Sequence, residues 1–306
     1  MDRSISVIVP VYNSEAILPD LIKRLAPALA SIATQYELIL VNDASRDQSW
    51  TVIKQLSASF PWIRGINLMR NYGQHNALLC GIRAARHAIL VTMDDDLQHP
   101  PEDIAKLLAK SDEGYDVVYG TTRAGRQGVW REWASHITRW VLRRAMQVEI
   151  AGDVSPFRVI RGRTCEAFAN YGSPFVSIDV LLSWGTSRFA SVPVAQEARH
   201  SGKSTYTVRK LISHALTMMT GFSTWPLRLA NIVGFAFTLF GLAVLAFVIA
   251  RYLIAGGSVP GFPFLASVIA IFSGAQLFAL GVIGEYLARM HFRMMERPPY
   301  VVREQT

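Results

Sequence analysis

Apolar runs and helix-spaced stretches alternate along the first 120 residues. Ile5 to Val9 is a short apolar run closed by Pro10, and Leu38 to Val41, Ile63 to Leu68, Ala88 to Met93 and Val117 to Tyr119 repeat it. Between them, Ala16 to Ala33, Gln48 to Ser59, Gln74 to Arg86 and Glu102 to Ala109 read as helices. This alternation predicts βαβ units and a parallel sheet. Ligands of such sheets bind beyond the carboxyl ends of the strands, and polar clusters fall there: Tyr12-Asn13, Asn42-Asp43, Arg70-Asn71 and Asp94-Asp95-Asp96. All four are expected to face one crevice. No G-x-G-x-x-G follows the first strand, which argues against a dinucleotide dehydrogenase.

The pattern changes at Trp130. Trp130, Trp133, Ile137, Trp140 and Val141 share one helical face, with Arg131, Arg139, Arg143 and Arg144 around it. Such a helix suits a membrane interface; a surface helix packed on a core is the alternative. Val208 to Phe222 is a second amphipathic stretch. Leu229 to Ala250 and Phe262 to Gly284 then hold no charged residue, and each run is roughly long enough to cross a ~30 Å hydrocarbon core. The expected organisation is an α/β domain over 1–207 that includes the interfacial helix at about 130–146. A juxtamembrane helix over 208–228, transmembrane helices at 229–254 and 262–284, and a cytoplasmic tail over 285–306 complete it.

Charge orients these segments. The chain is 51% hydrophobic yet carries a net charge of +8. Arg199, His200, Lys203, Arg209, Lys210 and Arg228 precede the apolar block; Arg289, Arg293, Arg297 and Arg303 follow it, while the connector holds only Arg251. The positive-inside rule places both flanks and both termini in the cytoplasm, with two spans across the membrane. Basic residues beside spans suit lipid phosphate rather than nucleic acid. Met1 to Pro10 lacks the apolar core of a signal peptide, and two cysteines, Cys80 and Cys165, exclude a disulfide framework. Oligomeric state stays open; a homo-oligomer paired through the tail after Met290 is one arrangement.

Asp94, Asp95 and Asp96 follow the apolar run Ile89 to Met93 directly. Adjacent carboxylates repel unless a cation shares them, and Mg²⁺ or Mn²⁺ commonly takes one or two carboxylates plus substrate phosphates. A solvated acidic turn is the alternative. His75 and His99 lie near the crevice without a metal-ligand partner at helical spacing.

Val9-Pro10-Val11-Tyr12-Asn13, Asn42-Asp43-Ala44-Ser45-Arg46-Asp47, Arg70-Asn71-Tyr72-Gly73-Gln74-His75 and Met93-Asp94-Asp95-Asp96-Leu97-Gln98-His99-Pro100-Pro101-Glu102 occur in this order. Gly152-Asp153 with Phe157-Arg158, Arg199 with Gly202-Lys203-Ser204, and Gly284-Glu285-Tyr286 follow. Together they resemble family 2 glycosyltransferases of the GT-A fold, in particular the polyprenyl-phosphate glycosyltransferases. The resemblance implies a Rossmann-like mixed sheet with helices on both faces, interfacial amphipathic helices and two C-terminal spans. It implies a metal-dependent, inverting transfer from a nucleotide-diphosphate sugar, with UDP the expected carrier, to a polyprenyl phosphate such as undecaprenyl phosphate.

By the same resemblance Pro10, Tyr12 and Asp43 hold the base and ribose. Asp94, Asp96 and Gln98 bind Mg²⁺ or Mn²⁺, with Asp95 beside the donor and Asp96 central to catalysis. Arg199 and Lys203 meet the donor diphosphate, and Arg123, Arg131 and Ser135 grip the acceptor phosphate. Asp153 stands where an acid near the acceptor is proposed; a helix cap or an ion pair with Arg158 is its other explanation. Three positions depart from the pattern: Ser14 stands where Glu is usual, with Glu15 next, Asn42 replaces a common Asp, and Ala44 a common Gly. His136-Ile137-Thr138-Arg139-Trp140 echoes a motif of processive polymer synthases, but it follows the acidic triplet too soon, and two spans are few for a polymer channel. A non-catalytic membrane scaffold or lipid-flipping component would tolerate loss of the acidic cluster, which is intact. The sugar is open among glucose, N-acetylhexosamine and formylated aminoarabinose.

Overall fold

The computed structural model describes residues 3–122, 153–197, 225–255 and 261–306. The helix expected at 130–146, residues 208–224 of the one expected at 208–228, and the connector at 256–260 lie outside these residues; residues 225–228 open the first long helix. The chain divides into two compact units, one containing residues 1–215 and 296–306, the other 216–295.

The first unit is built on strands β1 (Ser4–Val11), β2 (Gln35–Asn42), β3 (Ile63–Leu68), β4 (Ile89–Thr92), β5 (Val117–Thr121), β6 (Arg158–Arg161), β7 (Phe189–Pro193) and β8 (Val302–Gln305). They form one mixed sheet in the order β7-β5-β6-β4-β1-β2-β3-β8. β1 pairs in parallel with β2 and β4, and β2 with β3. β6 lies antiparallel between β4 and β5, and β8 runs antiparallel along β3. The helices are α1 (Leu18–Ile32), α2 (Ser49–Ser59), α3 (Gln74–Ala84), α4 (Ile104–Asp112) and α5 (Ile178–Gly185).

Side-chain alternation along the strands decides which helix covers which face. Val7, Val9, Val11, Leu38 and Leu40 point to one face, packing with Leu21 and Leu25 of α1, Ile53 of α2 and Leu107 of α4. Ile39, Val41, Ile66 and Leu68 point to the other, against Ala77 and Cys80 of α3. Both faces being covered explains why β1 and β2 are apolar without interruption. Helix α3 approaches closely because Gly81 has no side chain: a Cβ there would stand 2.3 Å from Ile8 Cγ2.

One buried ionic group also stitches the sheet. Arg158, at the start of β6, is 1% exposed. It pairs with Asp179 in the first turn of α5 and donates through Nε to Thr92 Oγ1 at 2.9 Å. Tyr119 donates to the same Asp179 at 3.0 Å. A buried charge of this kind persists only when paired and hydrogen-bonded.

After its second long helix the chain returns to this sheet. Thr306 N donates to Gly65 O, Gly65 N to Thr306 Oγ1, and Met69 N to Val301 O. The tail is therefore an edge strand of its own chain.

The second unit contains α6 (Trp225–Ala255) and α7 (Phe262–Met294). Pro226–Arg251 and Ile271–His291 are long and apolar enough to cross a membrane. Phe237 of α6 meets Phe272 of α7 edge-on, and Gly241 leaves room for the same ring. Helix α7 continues past Gly284, and Glu285 accepts from Arg289 one turn on at 2.8 Å.

Candidate active site

The loops at the carboxyl ends of β1, β2, β3 and β4 enclose a crevice of about 580 Å³. Pro10, Tyr12, Asn13, Ser14, Asp43, Asp47, Asn71, Gly73, Gln74, Asp94, Asp95 and Asp96 line it. Six of the sequence-derived candidates thus meet in one place: Pro10, Tyr12, Asp43, Asp94, Asp95 and Asp96.

Backbone geometry at the rim is constrained. Asn13, Ala44 and Leu97 have φ of 57°, 51° and 57°, the left-handed region that non-glycine residues seldom enter. Strain of this kind persists where surrounding bonds over-determine it, and here they do. Asn13 N donates to Ser45 Oγ, Arg46 N to Asn13 Oδ1, and Ser14 N to Ser49 Oγ. Glu15 N donates to Asp47, and Gln48 N to Glu15. The β1 and β2 loops are in effect one hydrogen-bonded rim. Asp47 is held below the usual carboxylate range: burial pushes it up, but the Ser49 hydroxyl and the Glu15 and Ser49 N–H groups outweigh that.

Asp43 is buried, and its two oxygens accept from Tyr72 N at 2.7 Å and Gly73 N at 2.8 Å. Burial raises its pKa against the pull of those two donors. It therefore fixes the turn that opens α3, where Gly73 has φ of 93°. Position 73 needs glycine for that conformation. The next residue, Gln74, reaches back to Asp94 Oδ1 at 2.5 Å.

The three adjacent carboxylates have separate surroundings. Asp95 accepts from the Ser14 hydroxyl, and burial pushes its pKa up to about 6. Asp94 is held by Gln74, and Asp96 Oδ1 accepts from Gln98 N at 3.2 Å. Asp94 and Asp96 flank Asp95, and all three carboxylates line the crevice. Among the described residues no group of three or more His, Cys, Asp or Glu could hold a metal ion. Two carboxylates beside a diphosphate are nevertheless the donor set a hard divalent cation accepts, with water completing its shell. The residues fit a metal shared with a substrate, not a closed structural site.

The remaining candidates fall elsewhere. Gln98 borders the acidic turn without lining the crevice; its carbonyl accepts from Glu197 N, and its side chain meets Gln196. Asp153 accepts from the Ser191 hydroxyl at 3.1 Å. The ion pair with Arg158 that would explain Asp153 blandly is not formed, because Arg158 is committed to Asp179. Arg123, Arg131, Ser135, Arg199 and Lys203 lie outside the described residues. Ser14, Asp47, Asn71 and Gln74 also line the crevice. The sequence places the last three within the motifs and Ser14 directly after one, but lone polar residues in loops carry no periodic signal that assigns them a role.

A mixed sheet with this crevice and an acidic turn after β4 defines the class as GT-A. The fold is shared with glucosyl-3-phosphoglycerate synthase from Mycobacterium tuberculosis, solved with Mn²⁺ and UDP-glucose: TM-score 0.52 over 71% of this chain and 77% of that one, at 18% identity. The family model Glycosyl transferase family 2 matches residues 6–169. Two relatives are similar over almost the whole length, both undecaprenyl-phosphate 4-deoxy-4-formamido-L-arabinose transferases. That of Shewanella sediminis is 36% identical over 304 residues, 98% of this chain and 92% of the relative. That of Pseudomonas savastanoi pv. phaseolicola is 33% identical over 305 residues, 98% and 90%. The chain belongs to glycosyltransferase family 2, and within it is related to the undecaprenyl-phosphate sugar transferases.

Proposed function

We propose that the protein transfers a sugar from a nucleoside diphosphate to undecaprenyl phosphate at the cytoplasmic face of the inner membrane. The observation that carries this is the full-length similarity to enzymes named for that transfer, joined to a polar crevice and two helices fit to span a membrane. Those relatives are named for 4-deoxy-4-formamido-L-arabinose, which makes that sugar the first to test.

A phosphate monoester has a second pKa of about 6 and is largely dianionic at pH 7. Its oxygen is already nucleophilic, so the protein has to position it and stabilise the departing diphosphate. Tyr12, Asn13 and Asp43 are assigned to orienting the nucleoside. Asp94 and Asp96 would hold Mg²⁺ or Mn²⁺, which when bound neutralises charge on the leaving diphosphate. The similar fold solved with Mn²⁺ and UDP-glucose supports this assignment. Arg199 and Lys203 are assigned to the diphosphate. Arg123, Arg131 and Ser135 are assigned to the acceptor phosphate, where guanidinium groups make a natural clamp. Attack from the face opposite the leaving group inverts the anomeric centre through an oxocarbenium-like state. Asp153 is assigned to the acceptor side.

The test is incubation of the full-length protein with undecaprenyl phosphate and a panel of nucleotide sugars. The expected result is one preferred sugar on the lipid. Free sugar in place of lipid-linked product, or elongation to a polymer, would contradict the assignment.

A further inference from the structure

Four strand ends carry one continuous row of hydrogen bonds. The pairing register sets Glu304 of β8 opposite Asn67 of β3, and Asn67 opposite Asn42 of β2. Asn67 Nδ2 donates to Glu304 Oε1 at 3.1 Å, and Asn42 Nδ2 donates to Asn67 Oδ1 at 2.8 Å. Ser45 Oγ donates to Asn42 Oδ1 at 2.5 Å, and Asn13 N donates to Ser45 Oγ at 3.0 Å. Every donor in the row points towards Glu304. Asn42 and Asn67 are 2% and 5% exposed, and Glu304 ends the row at the exposed edge of the sheet. Asn13, at the far end, lines the crevice with φ of 57°.

We infer that Glu304, in the strand after the second long helix, is a positioning residue for the donor crevice. Its carboxylate sets the direction of the row, and the row holds the Asn13 turn beside Tyr12. A charged terminal acceptor strengthens the bond it receives, and bonds in line polarise one another. The row also accounts for Asn42, where family members commonly have Asp. An aspartate there has no proton to give Asn67. The Asn67 amide would turn its N–H groups to position 42 and its oxygen to Glu304, placing two acceptors face to face. Asn42 and Glu304 are therefore matched. The inference rests on the crevice binding a nucleoside diphosphate.

The test measures nucleoside diphosphate affinity (UDP, GDP, CDP and ADP, with Mn²⁺), kcat and thermal stability of the full-length protein in detergent. Glu304→Ala should weaken the preferred nucleotide by roughly two- to twelve-fold, the range of one hydrogen bond, with kcat at saturation unchanged. Glu304→Gln keeps an acceptor oxygen and should lose less. Gln305→Ala, on the same edge strand but outside the row, should match wild type. Asn42→Asp should lose more affinity with Glu304 present than in the Asn42→Asp, Glu304→Gln double variant, where the row can reverse. Wild-type affinity in Glu304→Ala, equal losses in Gln305→Ala, or additivity in the double variant would overturn the inference. A wild-type protein that binds no nucleotide would overturn it together with the donor assignment.

Discussion

The hydroxyl of Ser14 donates to the carboxylate of Asp95, which lies 81 residues further along the chain. This contact ties the loop after β1 to the acidic turn after β4, across the crevice that both line. At position 14, where Glu is usual, the serine hydroxyl makes this bond, while Glu15 takes the bond from Gln48 N. Ser14→Ala leaves a partly buried carboxylate short of a donor, which costs about 1–3 kcal/mol. Turnover should fall roughly 5- to 160-fold if that cost appears as lost pre-organisation. Unchanged turnover and unchanged melting temperature in the alanine variant would show that the contact carries no weight.

A second expectation concerns acid. Burial pushes the Glu37 carboxyl up, but the Ser6 hydroxyl, the Arg86 N–H and the Arg64 guanidinium outweigh it and hold it below its ordinary 4.5. A carboxyl depressed on folding contributes stability that is complete above its unfolded pKa and is lost as pH falls through the folded value. Glu37→Gln should therefore destabilise by about 1–3 kcal/mol at pH 7, and the gap to wild type should close below pH 4.5. Thermal unfolding in detergent across pH 3 to 7 measures this. A gap that stays constant across the range would assign the loss to packing.

Ala44 has φ of 51° where glycine is the common residue. An L-residue in that region costs roughly 1–2 kcal/mol, and glycine gives back about 0.4–1 kcal/mol through unfolded-chain entropy. Ala44→Gly should stabilise by about 0.5–1 kcal/mol, or about 1–4 °C in melting temperature. A lower melting temperature would mean that the alanine methyl is packed to an advantage exceeding the strain.

These three sites mark what the sequence made legible. Strands β1 to β4 were readable because both faces are buried, leaving uninterrupted apolar runs with polar clusters at their ends. The crevice followed, since parallel strands bring those ends together. β6 was missed because its four residues begin and end with arginine, and Arg158 is buried only by virtue of Asp179, 21 positions away. β8 was missed because it is an edge strand of polar residues held through its backbone to β3. Edge pairing leaves no hydrophobic period to detect.

The proposed topology puts both termini in the cytoplasm. Buried Cys80 and partly buried Cys165 have thiols pushed up to about 12, so thiolate, the reactive form, is scarce at neutral pH. Single cysteines introduced as Asp2→Cys, Ser258→Cys and Gln305→Cys can thus be read against a quiet background. In intact cells an impermeant maleimide should label only the Ser258→Cys variant. Labelling at position 2 or 305 would reverse or break the topology.

The central claim is transfer of a sugar from a nucleotide to a polyprenyl phosphate with the help of the acidic turn. The direct measurement is the rate at which labelled sugar appears on undecaprenyl phosphate, for wild type and for Asp96→Asn, with Mn²⁺ and with excess chelator. A metal-bridged diphosphate needs that carboxylate. The account predicts product from wild type with metal, loss of about a hundred-fold or more in Asp96→Asn, unchanged folding of that variant, and no product under chelation. Near-normal rates in Asp96→Asn, or full wild-type activity in chelator, would contradict it.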